Sequence, residues 1–296
     1  MFSELFAIIA PILVCSGIGF TWAKSGTPYP ADFVARAVMN IGAPCLVVAA
    51  LNRAEVDLSL FAQVAFSALL VLASMAVISV AAIRMFKLKV STFLPSLLFP
   101  NCGNMGLPLC FFAFGEEGLA LALGYFLVMM LGHFSIGILI VGSGHNRLSQ
   151  RLLDLLKLPV FYAMALGVVL LFTGWSLPIW LDNSVTLLSG FTIPLMMITL
   201  GVSLAQLKVA MISHSLAFSS LRILGGLALG WLCCESLGIE GISRGVVLLQ
   251  SSMPVAVFNY LLAQRYNREP SEVAGLVVTS TLMSFVLTPL LLAYLL

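Results

Sequence analysis

The chain has 296 residues, of which 61% are hydrophobic and only 9% are charged, and its formal net charge is +2. Soluble domains carry about 25% charged residues, so this composition excludes a soluble globular protein. The balanced charge, with no sustained basic block, gives no support for nucleic-acid binding. We therefore predict an all-α polytopic membrane protein.

The charged residues divide the chain into ten apolar runs, most of which reach the roughly 20 residues that cross a bilayer core of about 30 Å. The runs are 5–23, 37–52, 58–83, 90–115, 118–144, 158–181, 183–207, 209–234, 245–264 and 273–296. The second run is short, but Asp32 and Arg36 can lie at headgroup level and extend it. The first run has no basic residues ahead of it and no evident cleavage site, so we interpret it as a span and not as a secretory signal.

Lysine and arginine are distributed unevenly between the alternate connections of this ten-span layout. If the N-terminus is outside, the inner connections carry Lys24, Arg36, Arg84, Lys87, Lys89, Arg147, Arg151, Lys157, Lys208, Arg265 and Arg268. The outer connections carry only Arg53 and Arg244. The positive-inside rule then predicts that both termini are non-cytoplasmic and that Glu116 and Glu117 are external. We expect a multi-pass protein of the plasma membrane, or of the inner membrane in a Gram-negative bacterium. The longest inner connection, 143–154, is too short for a domain.

The fourth run contains a segment that cannot continue as a regular helix. Residues 99–108 read FPNCGNMGLP, and residues 250–254 of the ninth run read QSSMP. Proline lacks a backbone donor and clashes with the preceding turn, while glycine lowers helix propensity. In lipid, such an interruption persists only where protein or a water-filled cavity satisfies the freed backbone groups. We predict that Pro100 or Pro108 interrupts the first of these helices and Pro254 the second, at a binding site or a transport pathway, with Pro108 freeing the carbonyl of Asn104.

The two halves of the chain share a weak pattern at an offset of about 150 residues. Three features recur in the same order: Pro11 with Pro159, Pro44 with Pro194, and the 101–108 interruption with 250–254. A five-helix unit that is duplicated in tandem inserts its second copy upside down, as in many secondary transporters. We predict two inverted five-helix repeats, 1–145 and 146–296, within a single membrane domain. Their broken helices, the fourth and the ninth, are expected to meet near the midplane.

The interruptions also supply the candidate binding residues. Neutral amides and hydroxyls, together with free N–H groups where each helix restarts, suit a carboxylate. The predicted substrate-binding residues are Asn101, Gly103, Asn104, Gly106, Pro108, Arg222, Gln250, Ser251, Ser252, Pro254 and Asn259. The alternative is that these polar groups only satisfy the ends of the broken helices. We expect no metal site and no cofactor.

Two basic side chains lie inside apolar runs. Arg222 is central in the eighth run, where an arginine costs about 2.5 to 3.5 kcal/mol to insert. It is either an anion counter-charge or gate, or a packing residue bonded to carbonyls. His133 in the fifth run has a proton or gating role, or is a hydrogen-bonded packing residue. No carboxylate is central in any run, which argues against an obligate proton relay and a carboxylate-ligated sodium site.

One enzyme-like motif is present, because Gly241-Ile-Ser243-Arg-Gly245 matches G-x-S-x-G. That nucleophile motif needs a strand before it and a histidine later in the chain. Apolar spans surround it and no histidine follows Ser243. We therefore predict no catalytic residues and no enzyme activity.

The motif from Asn101 to Pro108 in span four, with Ser252-Met-Pro254 in span nine followed by a helix end at 260–267, resembles the auxin efflux carrier family. This group of membrane transport proteins includes the plant PIN carriers and bacterial relatives. The resemblance covers the length, the ten-span layout and the motif positions. It implies a fold similar to that of the sodium/bile-acid symporters, in which spans four and nine cross and spans one, two, six and seven form a scaffold. Many plant carriers have a long hydrophilic central loop, which this chain lacks.

The resemblance also implies export or exchange of small organic anions, auxin in plants and malonate- or malate-like acids in some bacterial members. We predict a secondary-active or facilitative transporter, most simply for efflux, of auxin-like monocarboxylates or malonate/malate-like dicarboxylates by elevator-type alternating access. The alternatives are a sodium-coupled organic-anion symporter, and a channel or ligand-sensing receptor on the same scaffold. The expected partners are the organic anion and the lipid bilayer. The small-xxx-small spacing of Gly226 and Gly230 leaves a homodimer as a hypothesis.

Overall fold

The computed structural model describes residues 2–53, 57–142, 157–207 and 212–296. In these ranges the regular elements are all helices, apart from one isolated antiparallel bridge between Pro100 and Val255. Seven helices in the described ranges are long and apolar enough to cross a membrane. The prediction of an all-α polytopic membrane protein is confirmed. The inner connection 143–154, with Arg147 and Arg151, lies outside the described residues, as does Lys208.

Helices of the first half follow the apolar runs. They are α1 (Phe2–Lys24), α2 (Ala31–Ala37), α3 (Ala43–Arg53), α4 (Leu58–Met85), α5 (Val90–Leu98), α6 (Leu107–Gly132) and α7 (Ile138–Val141). Short π-helical turns precede α3, α6 and α7, at Val38–Gly42, Cys102–Gly106 and His133–Gly137. The carboxylate of Asp57 caps α4 by accepting a hydrogen bond from the backbone N–H of Ser59 at 2.8 Å, which lowers the pKa of that carboxyl. A polar cap thus marks where α4 begins.

Helices of the second half are α8 (Pro159–Thr173), α9 (Ile179–Ser189), α10 (Thr192–Gln206), α11 (Ile212–Ser220), α12 (Gly226–Leu237), α13 (Gly241–Ser251), α14 (Val257–Arg265) and α15 (Pro270–Leu295). A π-helical turn, Leu221–Gly225, joins α11 to α12. Gly174 and Gly238 end α8 and α12 in the left-handed conformation. Glycine adopts this conformation without a steric penalty, so these two helix ends follow directly from the sequence.

Gly115 divides α6 into two helices. Its φ of 66° and ψ of −155° are not helical, although the helices on either side run into it without a gap. Gly115 and Glu116 are exposed, whereas the chain from Gly118 to Tyr125 is buried. The turn at Gly115 therefore separates the fourth apolar run from the fifth, where the sequence predicts the connection.

One group of helices consists of α1, α2, α3, α8, α9 and α10. The backbones of α1 and α10 touch, because a Cβ at Gly19 would overlap the carbonyl of Ile198 and one at Gly201 would overlap the carbonyl of Ser16. Small residues allow this close approach in membrane helices. At one end of the group, Asn52 of α3 donates to the carboxylate of Asp182 in α9 at 3.1 Å.

The remaining helices, α4–α7 and α11–α15, pack around a largely apolar core. Phe61 of α4 lies against Gly124 of α6, and Tyr125 and Met75 are fully buried. The two interrupted helices lie in this second group. The segment between α5 and α6 and the segment between α13 and α14 meet each other there, and they form the only isolated bridge in the described ranges.

The first interruption lies at Pro100, the earlier of the two candidate prolines, and the expected break at Pro108 is wrong. The chain leaves helical geometry at Phe99, Pro100 and Asn101, and not at Pro108. Pro108 is instead buried in the first turn of α6, where a proline is tolerated because its missing N–H has no helical partner to lose. The second interruption is where it was expected, since Pro254 lies between the end of α13 and the start of α14.

Candidate functional site

The two interruptions cross and are joined by backbone hydrogen bonds. The N–H of Asn101 donates to the carbonyl of Pro254 at 2.7 Å, and the N–H of Ala256 donates to the carbonyl of Phe99 at 3.3 Å. These bonds flank the bridge of Pro100 with Val255. Each interruption therefore satisfies part of the backbone that the other exposes, as buried backbone groups require.

Side chains from both interrupted segments also form hydrogen bonds at this crossing. The amide Nδ2 of Asn259 donates to the carbonyl of Phe99 at 2.9 Å, and the thiol of Cys102 lies 3.7 Å from the carbonyl of Gln250. The N–H of Val255 donates to the hydroxyl of Ser280 in α15 at 3.0 Å. Contacts from α14, from the turn that starts α6 and from α15 consequently hold the crossing in place.

Several amide atoms at the crossing are buried without a hydrogen-bond partner among the residues that the structure describes. These atoms are Nδ2 of Asn101, both Nε2 and Oε1 of Gln250, and Oδ1 of Asn259. The three side chains are at most 4% exposed. An unsatisfied buried polar group costs roughly 1 to 3 kcal/mol, so retaining four such atoms is costly unless something binds them. They are the donors and acceptors that a polar ligand, or water, would use.

The site opens at Gly103 and Asn104, which are partly exposed while their neighbours are buried. They lie in the π-helical turn that starts α6, so their N–H groups are at a helix N-terminus. A Cβ at Gly103 would lie 3.1 Å from the ring of Phe126 and 3.5 Å from the methyl group of Met196. Met196 belongs to α10, so the opening lies between the two groups of helices.

Gly106 allows the second interruption to contact the first. A Cβ at Gly106 would lie 2.9 Å from Cδ of Gln250 and 3.1 Å from its Nε2. The amide of Gln250 therefore rests directly on the backbone of the π-helical turn. Among the predicted binding residues, Asn101, Gly106, Gln250 and Asn259 are brought together in this way.

The two serines of the second interruption bond to their own helix. The hydroxyl of Ser251 donates to the carbonyl of Leu248 at 3.2 Å, and that of Ser252 donates to the carbonyl of Leu249 at 3.0 Å. Ser252 also lines an apolar groove of about 480 Å³ between α12 and α15. The geometry of both serines matches the alternative stated above, in which they satisfy the end of a broken helix.

Arg222 reaches the crossing from the α11–α12 turn and is only 1% exposed. Its Nη1 donates to the carbonyl of Leu97 at 2.6 Å, and its Nη2 donates to the carbonyl of Ser251. Of the two interpretations made from the sequence, this geometry matches an arginine bonded to carbonyls. The guanidinium lines no opening in this structure.

His133 stacks on residues of both interruptions. Its ring lies 4.6 Å from the ring of Phe99 in a stacked arrangement and 4.9 Å from the ring of Phe258 in an edge-on arrangement. Its Nε2 is buried, and no partner for it is found within the described ranges. A packing role accounts for the two ring contacts, and the proton or gating role stays a prediction.

Sequence reasoning missed Phe99, Phe126 and Met196. Each is an apolar residue in an apolar run, so nothing in the local sequence distinguishes it from a lipid-facing or core residue. The described ranges contain no cluster of three or more His, Cys, Asp or Glu side chains that could hold a metal ion.

Comparison with known proteins identifies similarity to membrane transport proteins. A family model described as "Membrane transport protein" matches residues 143–292. An uncharacterized transporter of Methanocaldococcus jannaschii is 32% identical over 200 residues, which are 64% of this chain and 63% of that protein. An uncharacterized transporter of Methanothermobacter thermautotrophicus is 31% identical over 198 residues, again 64% of this chain and 63% of the relative. The chain thus matches somewhat less than two thirds of the length of either relative.

Proposed function

The chain belongs to the membrane transport protein family, which is the auxin efflux carrier group that its motifs resemble. We propose that it carries small organic anions across the membrane by alternating access. The observation that carries this proposal is the group of unpartnered buried amides at the crossing, beside the opening at Gly103 and Asn104. Efflux is the direction that we propose, with auxin-like monocarboxylates or malonate/malate-like dicarboxylates as substrates.

The architecture that we propose has ten spans in two inverted repeats, 1–145 and 146–296. Helices fall on each of the ten apolar runs once Gly115 is taken as the end of one span and the start of the next. An antiparallel pair has local twofold symmetry, and the bonds from Asn101 to Pro254 and from Ala256 to Phe99 are related in that way. Such a pair is what two inverted copies of one broken helix would form.

A carboxylate is the ligand that the chemistry of the crossing favours. The helix restarting at Cys102–Gly106 directs a partial positive charge and free N–H groups toward the opening. Asn101, Asn104 and Gln250 offer neutral donors without the cost of a buried fixed charge. A substrate held in this manner is bound by many weak polar contacts and can still be released, which a carrier needs.

Alternating access is supported by where the opening lies. Gly103 belongs to the helices around the crossing, and Met196 belongs to the group formed by α1–α3 and α8–α10. If the group formed by α1–α3 and α8–α10 is a fixed scaffold, sliding of α4–α7 and α11–α15 past it would expose Gly103 to one side of the membrane and then to the other. This is the elevator-type movement.

The experiment is substrate transport into proteoliposomes by the parental protein and by Asn101→Ala and Asn104→Ala. Each substitution removes one hydrogen bond to a charged ligand, worth about 1.5 to 3 kcal/mol, so we expect the apparent affinity to fall roughly 10- to 150-fold. Asn183→Ala is the matched control, because Asn183 is exposed on α9. Well-folded variants of Asn101 and Asn104 with parental rate and affinity would place the site elsewhere. A panel of mono- and dicarboxylates identifies the substrate.

The same vesicles separate the alternatives. Saturable flux that unlabelled substrate on the opposite side accelerates is expected of a carrier, and a channel or receptor would lack it. Flux that requires a sodium gradient would favour the sodium-coupled symporter instead. We also propose that the protein lies in the plasma membrane, that both termini are non-cytoplasmic and that it forms a homodimer.

A further inference from the structure

The contacts of Arg222 give it a role that an anion-binding residue would not have. Its two terminal nitrogens donate to the carbonyls of Leu97 and Ser251. Leu97 is the penultimate residue of α5, and Ser251 is the last residue of α13. One guanidinium therefore joins the C-terminal ends of both half-helices that enter the crossing. The planar guanidinium can bridge two acceptors in this way, which a lysine ammonium on a flexible chain does less well.

The charges of this arrangement balance without an acidic residue. A helix C-terminus is equivalent to roughly −0.5 elementary charge, so the ends of α5 and α13 together approach −1. Arginine stays protonated in proteins and supplies +1. The three ion pairs found within the described ranges join Arg53 with Asp182, Lys89 with Glu269 and Arg244 with Glu235, so none of them involves Arg222. Two helix ends thus take the place of a carboxylate partner.

The neighbouring glycine makes room for the contact. A Cβ at Gly226 would overlap the carbonyl oxygen of Ser251 and the Nη2 atom of Arg222. Gly226 is the residue one turn after Arg222. Because it has no side chain, it leaves room for both the guanidinium of Arg222 and the end of α13. The two terminal nitrogens of the buried guanidinium are thus satisfied, while its Nε has no partner among the described residues.

We propose that Arg222 is a positioning residue, a built-in cation that holds the two half-helix C-termini together and so fixes the crossing, and that it does not bind the transported anion. Because the C-terminal ends are held, the half-helices that restart at Cys102 and Val257 keep their N-terminal ends at the crossing. The proposal rests on the anion site proposed above for its functional consequence, but the contact itself concerns only the fold.

Chemical rescue tests this proposal. Arg222→Ala leaves a buried space next to two carbonyl oxygens, which free guanidinium at millimolar concentration can occupy. We expect the variant to show a downward shift in melting temperature in detergent and a loss of flux, and guanidinium chloride to reverse both in part. Sodium chloride at the same ionic strength should reverse neither the melting shift nor the loss of flux. Arg84→Ala is the control, because Arg84 is exposed at the end of α4 and its variant should respond to neither salt.

Arg222→Lys serves if the alanine variant does not yield protein. The ammonium keeps the charge but bridges the two carbonyls poorly, so we expect a smaller melting shift, a reduced maximal rate and an unchanged KM for the substrate. A raised KM with a parental melting temperature would overturn the proposal, since Arg222 would then contact the anion. A fully stable and active Arg222→Met protein would overturn it as well. The melting measurements contain no substrate, so they remain valid if organic anions prove not to be transported.

Discussion

The close approach of α12 to the end of α13 can be tested with two adjacent glycines. Gly225 and Gly226 have helical backbone angles, so alanine is compatible with either backbone. Their surroundings differ. A Cβ at Gly225 would meet Leu221 and Met75 at 3.5 and 3.6 Å, which are ordinary contacts, whereas one at Gly226 would overlap the Ser251 carbonyl oxygen and lie 3.1 Å from its carbonyl carbon. We expect Gly225→Ala to be tolerated and Gly226→Ala to be destabilising.

The difference in stability between the two alanine variants can be estimated because their helical contexts are the same. Replacing glycine by alanine in a helix gains about 0.5 to 1 kcal/mol at either position, and this gain cancels in the comparison. What remains is the cost of forcing extra volume into a packed site, about 1 to 3 kcal/mol. At roughly 2 to 4 °C per kcal/mol for a chain of this size, Gly226→Ala should melt about 2 to 12 °C below Gly225→Ala.

The assay is a thermal melt of both purified variants in the same detergent, followed by flux in proteoliposomes. A double variant tests which atoms of Ser251 contact α12. A Cβ at Gly230 would lie 2.9 Å from Cβ of Ser251, which is a side-chain atom, so Ser251→Gly should relieve Gly230→Ala. It should not relieve Gly226→Ala, where the obstacles are the Ser251 backbone and the guanidinium of Arg222. Equal melting temperatures for the two alanine variants at 225 and 226 would refute the proposed backbone contact.

Three further predictions concern other parts of the molecule. A cysteine introduced at Glu117 in a cysteine-free background should react with an impermeant reagent from the outside only, and labelling from the cytoplasmic side alone would contradict the topology. The hydrogen bond from Lys89, followed by that from Thr92, holds the pKa of Glu269 below its usual value of 4.5. The ion pair therefore contributes stability above pH 4.5 and loses it as the pH falls through the lowered pKa. Because both side chains are exposed by more than a third, the melting difference between the parental protein and Glu269→Gln should correspond to only about 0 to 1 kcal/mol and should vanish in acid. His133→Phe keeps the ring contacts with Phe99, so flux that survives this change with an unaltered pH profile would exclude a proton role, whereas a lost pH dependence would support one.

The amino-acid sequence by itself determined the class of the protein and the places where its helices end or break. Long apolar runs require helices in lipid, because the backbone has no other partner there, and this property is local. Gly115, Gly174 and Gly238 end helices with a positive φ, which glycine adopts without a steric penalty, and this property is local as well. The sequence also located both interruptions, to within a few residues for the first, because a proline acts on the turn that contains it.

Only the tertiary structure decided what these interruptions contact. The partners of Arg222 are the carbonyls of Leu97 and Ser251, and every residue has a carbonyl, so no side-chain pattern could have identified them. Phe126 and Met196 border the opening because two groups of helices meet there, which depends on residues distant in the chain. Hydropathy and helix propensity act over a few turns, whereas the pairing of Pro100 with Val255 requires two segments 155 residues apart to approach through the packing of all the spans between them.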